Sequence, residues 1–365
     1  MSPVQRYIGL MSGTSLDGID AVLVDFSRDA PQLLGHSHRP FDAALRAALF
    51  ALNAPGHDEL DRASSLGNKL ARRYADSVSE VLAQAAMDRS AVRAIGCHGQ
   101  TVRHRPERGY SVQIGNAALL AELTGIAVVT DFRSRDLAAG GQGAPLVPSF
   151  HAMMFTSERE NRAVLNLGGI ANLTWLPRAG AVQGFDSGPG NCLLDLWAAR
   201  HLGRAFDDGG RWAKKGKVNA ALLAQLMQEP FFSMPPPKST GRDLFSAGWL
   251  DARLIPESDA RDVQATLLEL TARSVAEACA RHCIGLERLV VCGGGSRNAA
   301  LLERLGELLS PVPIETSERH GIDACLVEAC AFAWLAKQAI ENRPAGLPSV
   351  TGARGARVLG AIYPQ

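Results

Sequence analysis

The sequence has almost no surplus charge of either sign: 38 basic residues stand against 37 acidic ones, a formal net charge of +1. Binding a nucleic-acid backbone or an anionic membrane requires a basic excess, so neither is expected as a partner. Local groups such as Arg103, Arg105 and Arg108 read as solvated faces. Long apolar runs are also missing. The longest obvious uncharged stretch, residues 137–157, is broken by three Gly, two Pro, a His and a Gln, and a bilayer could not accommodate it. The opening MSPVQRYIGLMSG has no apolar segment of signal-peptide length, so a soluble, cytoplasmic protein is expected. Seven scattered cysteines form no paired framework, and neither Cys279/Cys283 nor Cys325/Cys330 has zinc-ligand spacing. Buried thiols in a reducing compartment are the expectation. Several catalytic signatures are absent as well. No G-x-x-x-x-G-K-[ST] occurs, which excludes a P-loop enzyme, and no H-E-x-x-H occurs. Asp17 follows Gly13-Thr14-Ser15-Leu16, so the G-x-S-x-G nucleophile elbow is missed by one residue. A dinucleotide fingerprint on Gly293-Gly294-Gly295 would need Gly at 298, where the chain has Asn298.

What is present describes a folded protein of more than one core. Hydrophobic residues make up 46% and charged residues 21% of 365, which excludes general disorder, and the length favours two domains. A short apolar run at 7–11 ends in Ser12-Gly13-Thr14-Ser15 and a β-branched run follows at 19–26, so two strands joined by a turn are predicted. A third strand is read at 33–39, helices at 41–53 and 58–87, a strand at 94–97, a helix near 117–123 and a strand at 126–130. The middle of the chain begins the same way again. Strands at 163–167 and 170–176 flank Gly168-Gly169, a third lies at 181–185, and a helix covers 191–201. A helix over 262–283 places Val263, Leu267, Leu270 and Ala278 on one face. A strand at 289–291 and a helix at 298–309 follow. The last helix, 323–340, is apolar on nearly every side and should be deeply buried. The order strand, glycine turn, strand, strand, helix therefore occurs twice, from about residue 6 and from about residue 162. An α/β fold of two lobes with a ligand cleft between them is expected, divided as 1–131 plus about 343–365 and 132–342. Segment 207–248, rich in Gly, Pro, Lys and Phe, reads as a long functional or mobile loop.

The chemistry concentrates at the turns. Gly13, Thr14, Ser15, Leu16, Asp17, Gly18, Ile19 and Asp20 join the first two strands. Glycines there turn backbone N–H groups toward one point and hydroxyls add donors, which suits a phosphate. Asp17 suits a Mg²⁺ ion reached through water; an ordinary hairpin turn is the simpler alternative. Gly168, Gly169 and Asn172 mark the equivalent turn of the second half, placed to grip the other side of a triphosphate. Gly293, Gly294, Gly295 and Asn298 form a strand-to-helix passage flat enough for a ligand to lie on the backbone. In Gly184-Phe185-Asp186-Ser187-Gly188-Pro189-Gly190-Asn191, Asp186 leaves a strand before a helix, where a carboxylate can take a proton from a hydroxyl or water or cap the helix. His98 and Gln100, just after a strand, suit sugar hydroxyls, although a lone His can equally be structural. Arg133 can pair with a substrate carboxylate or with a neighbouring Asp. Glu328, inside the apolar last helix, must be paired or functional.

Taken together, IGLMSGTSLDGID (8–20), GCHGQTV (96–102), TDFRSRDLAAGGQGAPLVP (130–148), NLGGIANLT (166–174), GFDSGPGN (184–191), PPKSTGRDLF (236–245) and CGGGSRN (292–298) resemble the anhydro-N-acetylmuramic acid kinase family. The resemblance implies a duplicated actin-like (ribonuclease H-like) fold with a central nucleotide cleft, and an ATP- and Mg²⁺-dependent enzyme. It implies that 1,6-anhydro-N-acetylmuramic acid is opened and phosphorylated to N-acetylmuramic acid 6-phosphate within cell-wall recycling. It further implies a cytoplasmic homodimer, with the catalytic base at Asp186 and the nucleotide loop at 13–20. Two alternatives stay open on the residues alone: an actin-like kinase of an ordinary free sugar, and a nucleotide-driven chaperone or filament protein on the same fold. The anchor of the sugar's lactyl carboxylate is open among Arg133, Arg135 and backbone donors.

Overall fold

A computed structural model describes residues 5–28, 30–241, 243–255 and 257–365; Arg242 of the 236–245 motif lies outside the described residues. Two units divide the chain, residues 1–150 with 326–365, and residues 151–325. The first begins with β1 (Arg6–Met11), β2 (Gly18–Asp25), β3 (Gln32–Pro40), α1 (Ala43–Ala51) and α2 (Glu59–Gln84). It continues through β4 (Ala94–Cys97), β5 (Gln100–Arg105), β6 (Tyr110–Ile114), α3 (Ala117–Thr124), β7 (Val128–Thr130) and α4 (Ser134–Ala138). The chain passes to the second unit within α5 (Val147–Phe155). There it forms β8 (Arg162–Leu167), β9 (Ile170–Leu176), β10 (Gln183–Pro189), α6 (Cys192–Leu202), α7 (Ala220–Met227), α8 (Ala247–Asp251), α9 (Ala260–His282), β11 (Arg288–Cys292), α10 (Ala299–Leu309) and β12 (Ile314–Thr316). It returns to the first unit as α11 (Val327–Ile340), α12 (Pro348–Thr351) and β13 (Ala361–Tyr363).

The first sheet has the order β13-β7-β4-β1-β2-β3 and the second β10-β9-β8-β11-β12. In the first, β1–β2 and β2–β3 are antiparallel while β1–β4 and β4–β7 are parallel. In the second, β8–β9 and β9–β10 are antiparallel while β8–β11 and β11–β12 are parallel. The same five-strand topology is thus built twice, with β13 added to one edge of the first copy. This is the repeat that the sequence pattern anticipates, and with it the duplicated actin-like fold that the resemblance implied.

In the first unit the core lies between the sheet and α2, whose Leu66, Leu70, Tyr74, Val78 and Val81 recur at helical spacing. They meet Ile8, Leu10 and Ile95 from the strands. The second face of this sheet is covered by α11. A Cβ at Gly9 would overlap the Ala329 carbonyl oxygen, and one at Gly96 the Phe332 carbonyl oxygen. These two glycines therefore let a helix backbone rest directly on β1 and β4. Their close approach is the physical reason that residues 326–342 pack with the first unit, where the sequence suggested the second. Residues 132–150 join the first unit as well: Asp136, buried in α4, accepts a hydrogen bond from Thr351 Oγ1 at 2.8 Å. The deep burial expected of the last helix is observed, although it begins at Val327 and Glu328 sits half-buried in its first turn. A carboxylate there interacts favourably with the helix N-terminus.

In the second unit α9 buries Val263, Leu267, Leu270 and Val275 against Leu165, Leu173, Phe185, Leu289 and Val291. Side chains alternate along each strand, so the opposite face of this sheet carries Asn166, Asn172 and Asp186, which pair laterally in register. The segment 207–248 differs from the expected long loop. It forms α7, the start of α8 and several 3₁₀ turns, because Phe231, Phe232, Phe245 and Trp249 enter the core as an aromatic cluster. Six of the seven cysteines are buried and none forms a disulfide. Among the described residues no helix is long and apolar enough to cross a membrane.

Candidate functional site

Asp186 is set by a local irregularity. The sequence suggested that the strand stops at 185, but β10 runs on to Pro189 with a bulge between Asp186 and Gly188. Ser187 is the extra residue, and its buried Oγ donates to the Ala171 carbonyl at 3.1 Å. Gly188 has φ +155, and a Cβ there would stand 2.6 Å from a Phe232 ring carbon. Bulges of this kind re-aim a side chain, and this one interrupts the regular pairing immediately beside the carboxylate.

The edge of β10 is covered by residues 238–240. The Asp186 N–H donates to the Lys238 carbonyl at 3.0 Å, and the Thr240 N–H donates to Asp186 Oδ2 at 2.8 Å. Oδ1 has no hydrogen-bond partner among the described residues, so one carboxylate oxygen is fixed and the other is available. Burial pushes the Asp186 carboxyl up to about 7, against the smaller opposing pull of the Thr240 amide and the Lys238 ammonium. A base poised near neutral pH combines a usable deprotonated fraction with real proton affinity.

The second-unit glycines frame this row. The Gly168 carbonyl accepts from Asn191 N, and the Gly169 carbonyl from Gly190 N and Cys192 N, at 2.9–3.0 Å. The β8–β9 turn therefore satisfies backbone donors at the start of α6. Asn191 Nδ2 donates to the Leu167 carbonyl at 3.0 Å, so it ties α6 to the same turn. A Cβ at Gly293 would collide with Asn166, and one at Gly295 would stand 2.6 Å from the Leu167 Cβ, whereas Gly294 faces open space. Asn298 caps α10 through Oδ1 to Leu301 N at 3.1 Å.

The first unit assembles the other expected residues. In the β1–β2 loop Gly13 and Ser15 are half-buried, Thr14 and Asp17 are exposed and Leu16 is buried; at the start of β2 Gly18 and Ile19 are buried and Asp20 is half-buried. Leu16, at φ +55, turns its N–H to the Gly13 carbonyl at 3.2 Å. Ser15 Oγ donates to Asp17 Oδ1 at 2.7 Å, and Asp20 Oδ1 lies 2.7 Å from His38 Nδ1. Gln100 is fully buried and its Nε2 donates to the Gly13 carbonyl at 3.1 Å, while Ser12 Oγ reaches Tyr74 Oη at 2.8 Å and the Gly99 carbonyl at 3.3 Å. Gln100 thus holds the loop that the sequence assigned to phosphate. His98 is buried against Phe332, with Nε2 at 2.8 Å from an Arg133 nitrogen. A guanidinium can only donate, so Nε2 accepts and Nδ1 carries the ring proton. Burial and that neighbouring charge hold the imidazole neutral, down to about 3. Arg133 also donates to the Gly143 carbonyl at 2.7 Å, and burial lowers it to about 10 against the attraction of Glu328 and Asp136. His98, Gln100, Arg133 and Glu328 therefore lie with the Gly13 loop in one unit, where Gln100 and Arg133 bond to backbone carbonyls, His98 accepts from Arg133 and Glu328 attracts the Arg133 charge.

The sequence family described as anhydro-N-acetylmuramic acid kinase matches residues 5–365. The chain belongs to the anhydro-N-acetylmuramic acid kinase family. Relatives of that name share 54% identity over 360 residues in Nitrosospira multiformis, covering 98% of each chain. They share 53% over 360 residues in Nitrosomonas europaea (98% and 99% covered) and 56% over 369 in Bordetella petrii (100% and 97%). The protein is accordingly a kinase with a hydroxyl acceptor, and ATP use follows from family membership. Within this kinase two residues near Asp186 escaped sequence reasoning, Lys238 and Thr240. They lie more than fifty positions from it, and only their place in the PPKSTGRDLF motif could have drawn attention to them.

Proposed function

We propose that this kinase opens 1,6-anhydro-N-acetylmuramic acid with water while phosphorylating O6 from ATP, giving N-acetylmuramic acid 6-phosphate and ADP. The observation that carries this reading is the Asp186 carboxylate, with one oxygen fixed by the Thr240 amide and a proton affinity near neutrality. Inverting cleavage at an anomeric carbon normally needs a base for the water and an acid for the departing oxygen. Here Asp186 takes the water proton as the new C1–O bond forms and the C1–O6 bond breaks. O6 is captured by the γ-phosphoryl group as its bond to ADP breaks, so an electrophile replaces the acid. One carboxylate then suffices.

The remaining roles follow from the same reading. The β1–β2 loop, buttressed by Gln100, holds phosphate oxygens through backbone donors and the Thr14 hydroxyl, while the Ser15 hydroxyl is spent on Asp17. Asp17 is exposed and already accepts from Ser15. No group of three or more His, Cys, Asp or Glu side chains among the described residues could hold a metal ion. That fits Mg²⁺ carried chiefly by nucleotide phosphates and water, with Asp17 as a water-mediated partner. Bound there, the ion neutralises phosphoryl charge. The reading extends to a cytoplasmic homodimer acting in cell-wall recycling.

A coupled ADP-release assay over a panel of anhydro and free amino sugars tests the substrate. ADP release is expected to depend on 1,6-anhydro-N-acetylmuramic acid, with free N-acetylmuramic acid and N-acetylglucosamine slower by at least about 10²-fold, on the scale of losing a well-oriented reaction geometry. Equal rates with a free sugar would replace the ring-opening reading with direct phosphorylation of an existing hydroxyl.

A further inference from the structure

The segment that covers β10 is fastened by a lysine whose charge is buried. Lys238 is 6% exposed, and its Nζ donates to the Phe231 carbonyl at 3.0 Å and the Phe232 carbonyl at 3.2 Å. It also stands 4.7 Å from the centroid of the Phe231 ring. An ammonium that gives up solvent needs such partners, and among the described residues no carboxylate hydrogen-bonds to it. Its own carbonyl receives the Asp186 N–H, and two residues further on the Thr240 N–H holds Asp186 Oδ2. The Lys238 side chain is therefore anchored at one end of the segment, while its own carbonyl holds the Asp186 backbone N–H and the Thr240 N–H holds the carboxylate. The Thr240 hydroxyl is buried without a hydrogen-bond partner among the described residues.

We propose that Lys238 is a positioning residue for the phosphotransfer reaction: by clasping the Phe231 and Phe232 carbonyls it fixes the 238–240 segment on β10, and with it the amide that orients the Asp186 carboxylate. The inference rests on the reading of Asp186 as the base. Other charged groups also face this corner, from α9. Arg281 Nη1 donates to the same Phe232 carbonyl at 3.0 Å and pairs with Glu277, and the His282 ring lies 5.2 Å from that of Phe185. Arg281 is close enough to repel the Lys238 ammonium, whereas Asp186 attracts it. Removing the Lys238 charge therefore takes away attraction from Asp186 and leaves Arg281 in place.

The test is kcat and KM for Lys238→Met against pH, with circular dichroism and melting temperature as controls. At pH above the acidic limb, kcat should fall by about 10–100-fold, the scale of a misplaced catalytic group. KM for ATP should stay within about twofold, since a positioning loss at the base removes no ground-state nucleotide contact. The acidic limb of kcat/KM should move to higher pH. Lys238→Gln keeps an N–H donor for the two carbonyls and replaces the Met variant should that one not fold. It must still move the limb upward with a smaller loss in kcat. In an Asp186→Asn background, Lys238→Gln should cost nothing further. An unmoved limb in a folded variant overturns the proposal, as does an undiminished loss in the Asn background. If Asp186→Asn by itself retains full turnover, it is the assignment of the base that fails.

Discussion

Replacing Asp186 with Asn should abolish phosphotransfer while leaving nucleotide and sugar binding intact. A positioned general base contributes about 10²–10⁴-fold to rate, and Asn can still accept the Thr240 N–H through its side-chain oxygen, so geometry survives while proton acceptance is lost. The expected result is a fall in kcat of that size with dissociation constants for both substrates close to those of the unmodified protein. In the unmodified protein kcat/KM should drop tenfold per pH unit below about 7, where burial places the carboxyl, and this limb should vanish in the variant. The stability of the same site has the opposite pH dependence. A carboxyl raised in the folded state binds its proton more tightly folded than unfolded, so its contribution is fully present below the unfolded value near 4 and is lost as pH rises through about 7. Asp186→Asn should therefore melt higher than the unmodified protein at pH 8, by an amount on the order of a few kcal/mol, and the gap should close toward pH 4. A variant that keeps near-normal turnover, or one that is less stable at pH 8 than at pH 4 relative to the parent, contradicts the assignment.

The second large effect is structural. Gly96→Ala should destabilise the first unit severely, because the added Cβ meets the Phe332 carbonyl oxygen and the backbone of α11 rather than a side chain that can rotate away. Overpacking in well-filled cores costs about 1–3 kcal/mol and sometimes more; a rigid helix backbone puts this site at the upper end, roughly 3 kcal/mol or more. That corresponds to a fall in melting temperature of roughly 6–12 °C for a unit of this size. Gly9→Ala, against the Ala329 carbonyl, should behave alike. Gly294→Ala is the control: nothing lies within 4 Å of a Cβ there, so its melting temperature should change little. Differential scanning calorimetry of the three variants distinguishes a packed α11 from one that merely lies nearby. Equal melting temperatures would remove α11 from the first unit.

The sequence made the duplication readable because each copy opens with the same buried strand, glycine turn and returning strand, and periodicity alone separates these from the helices. It did not reveal where the units divide. The contacts of Gly9 in β1 with Ala329 and of Gly96 in β4 with Phe332 join residues more than two hundred positions apart, and their local trace is two glycines inside apolar strands. The segment 207–248 read as a loop because its prolines and glycines outweighed Phe231, Phe232 and Phe245, which bury in the same core as α9. At the site, Asp186 stood out as an acid among glycines, whereas its partners Lys238 and Thr240 carry no periodic signal. His98 and Gln100 looked like sugar ligands because polar side chains after a strand often are. In the fold, Gln100 holds the Gly13 carbonyl and His98 accepts from Arg133, so their first effect is on the shape of the loop and on where Arg133 lies.

The most direct measurement is a single turnover on 1,6-anhydro-N-acetylmuramic acid in ¹⁸O-labelled water, quenched before the product can exchange, with the label located by mass spectrometry. One solvent oxygen should appear at C1 of the sugar phosphate and none in the transferred phosphoryl group. Label in phosphate, or a product carrying only unlabelled oxygen at C1, would mean that the water Asp186 is held to activate never attacks the sugar.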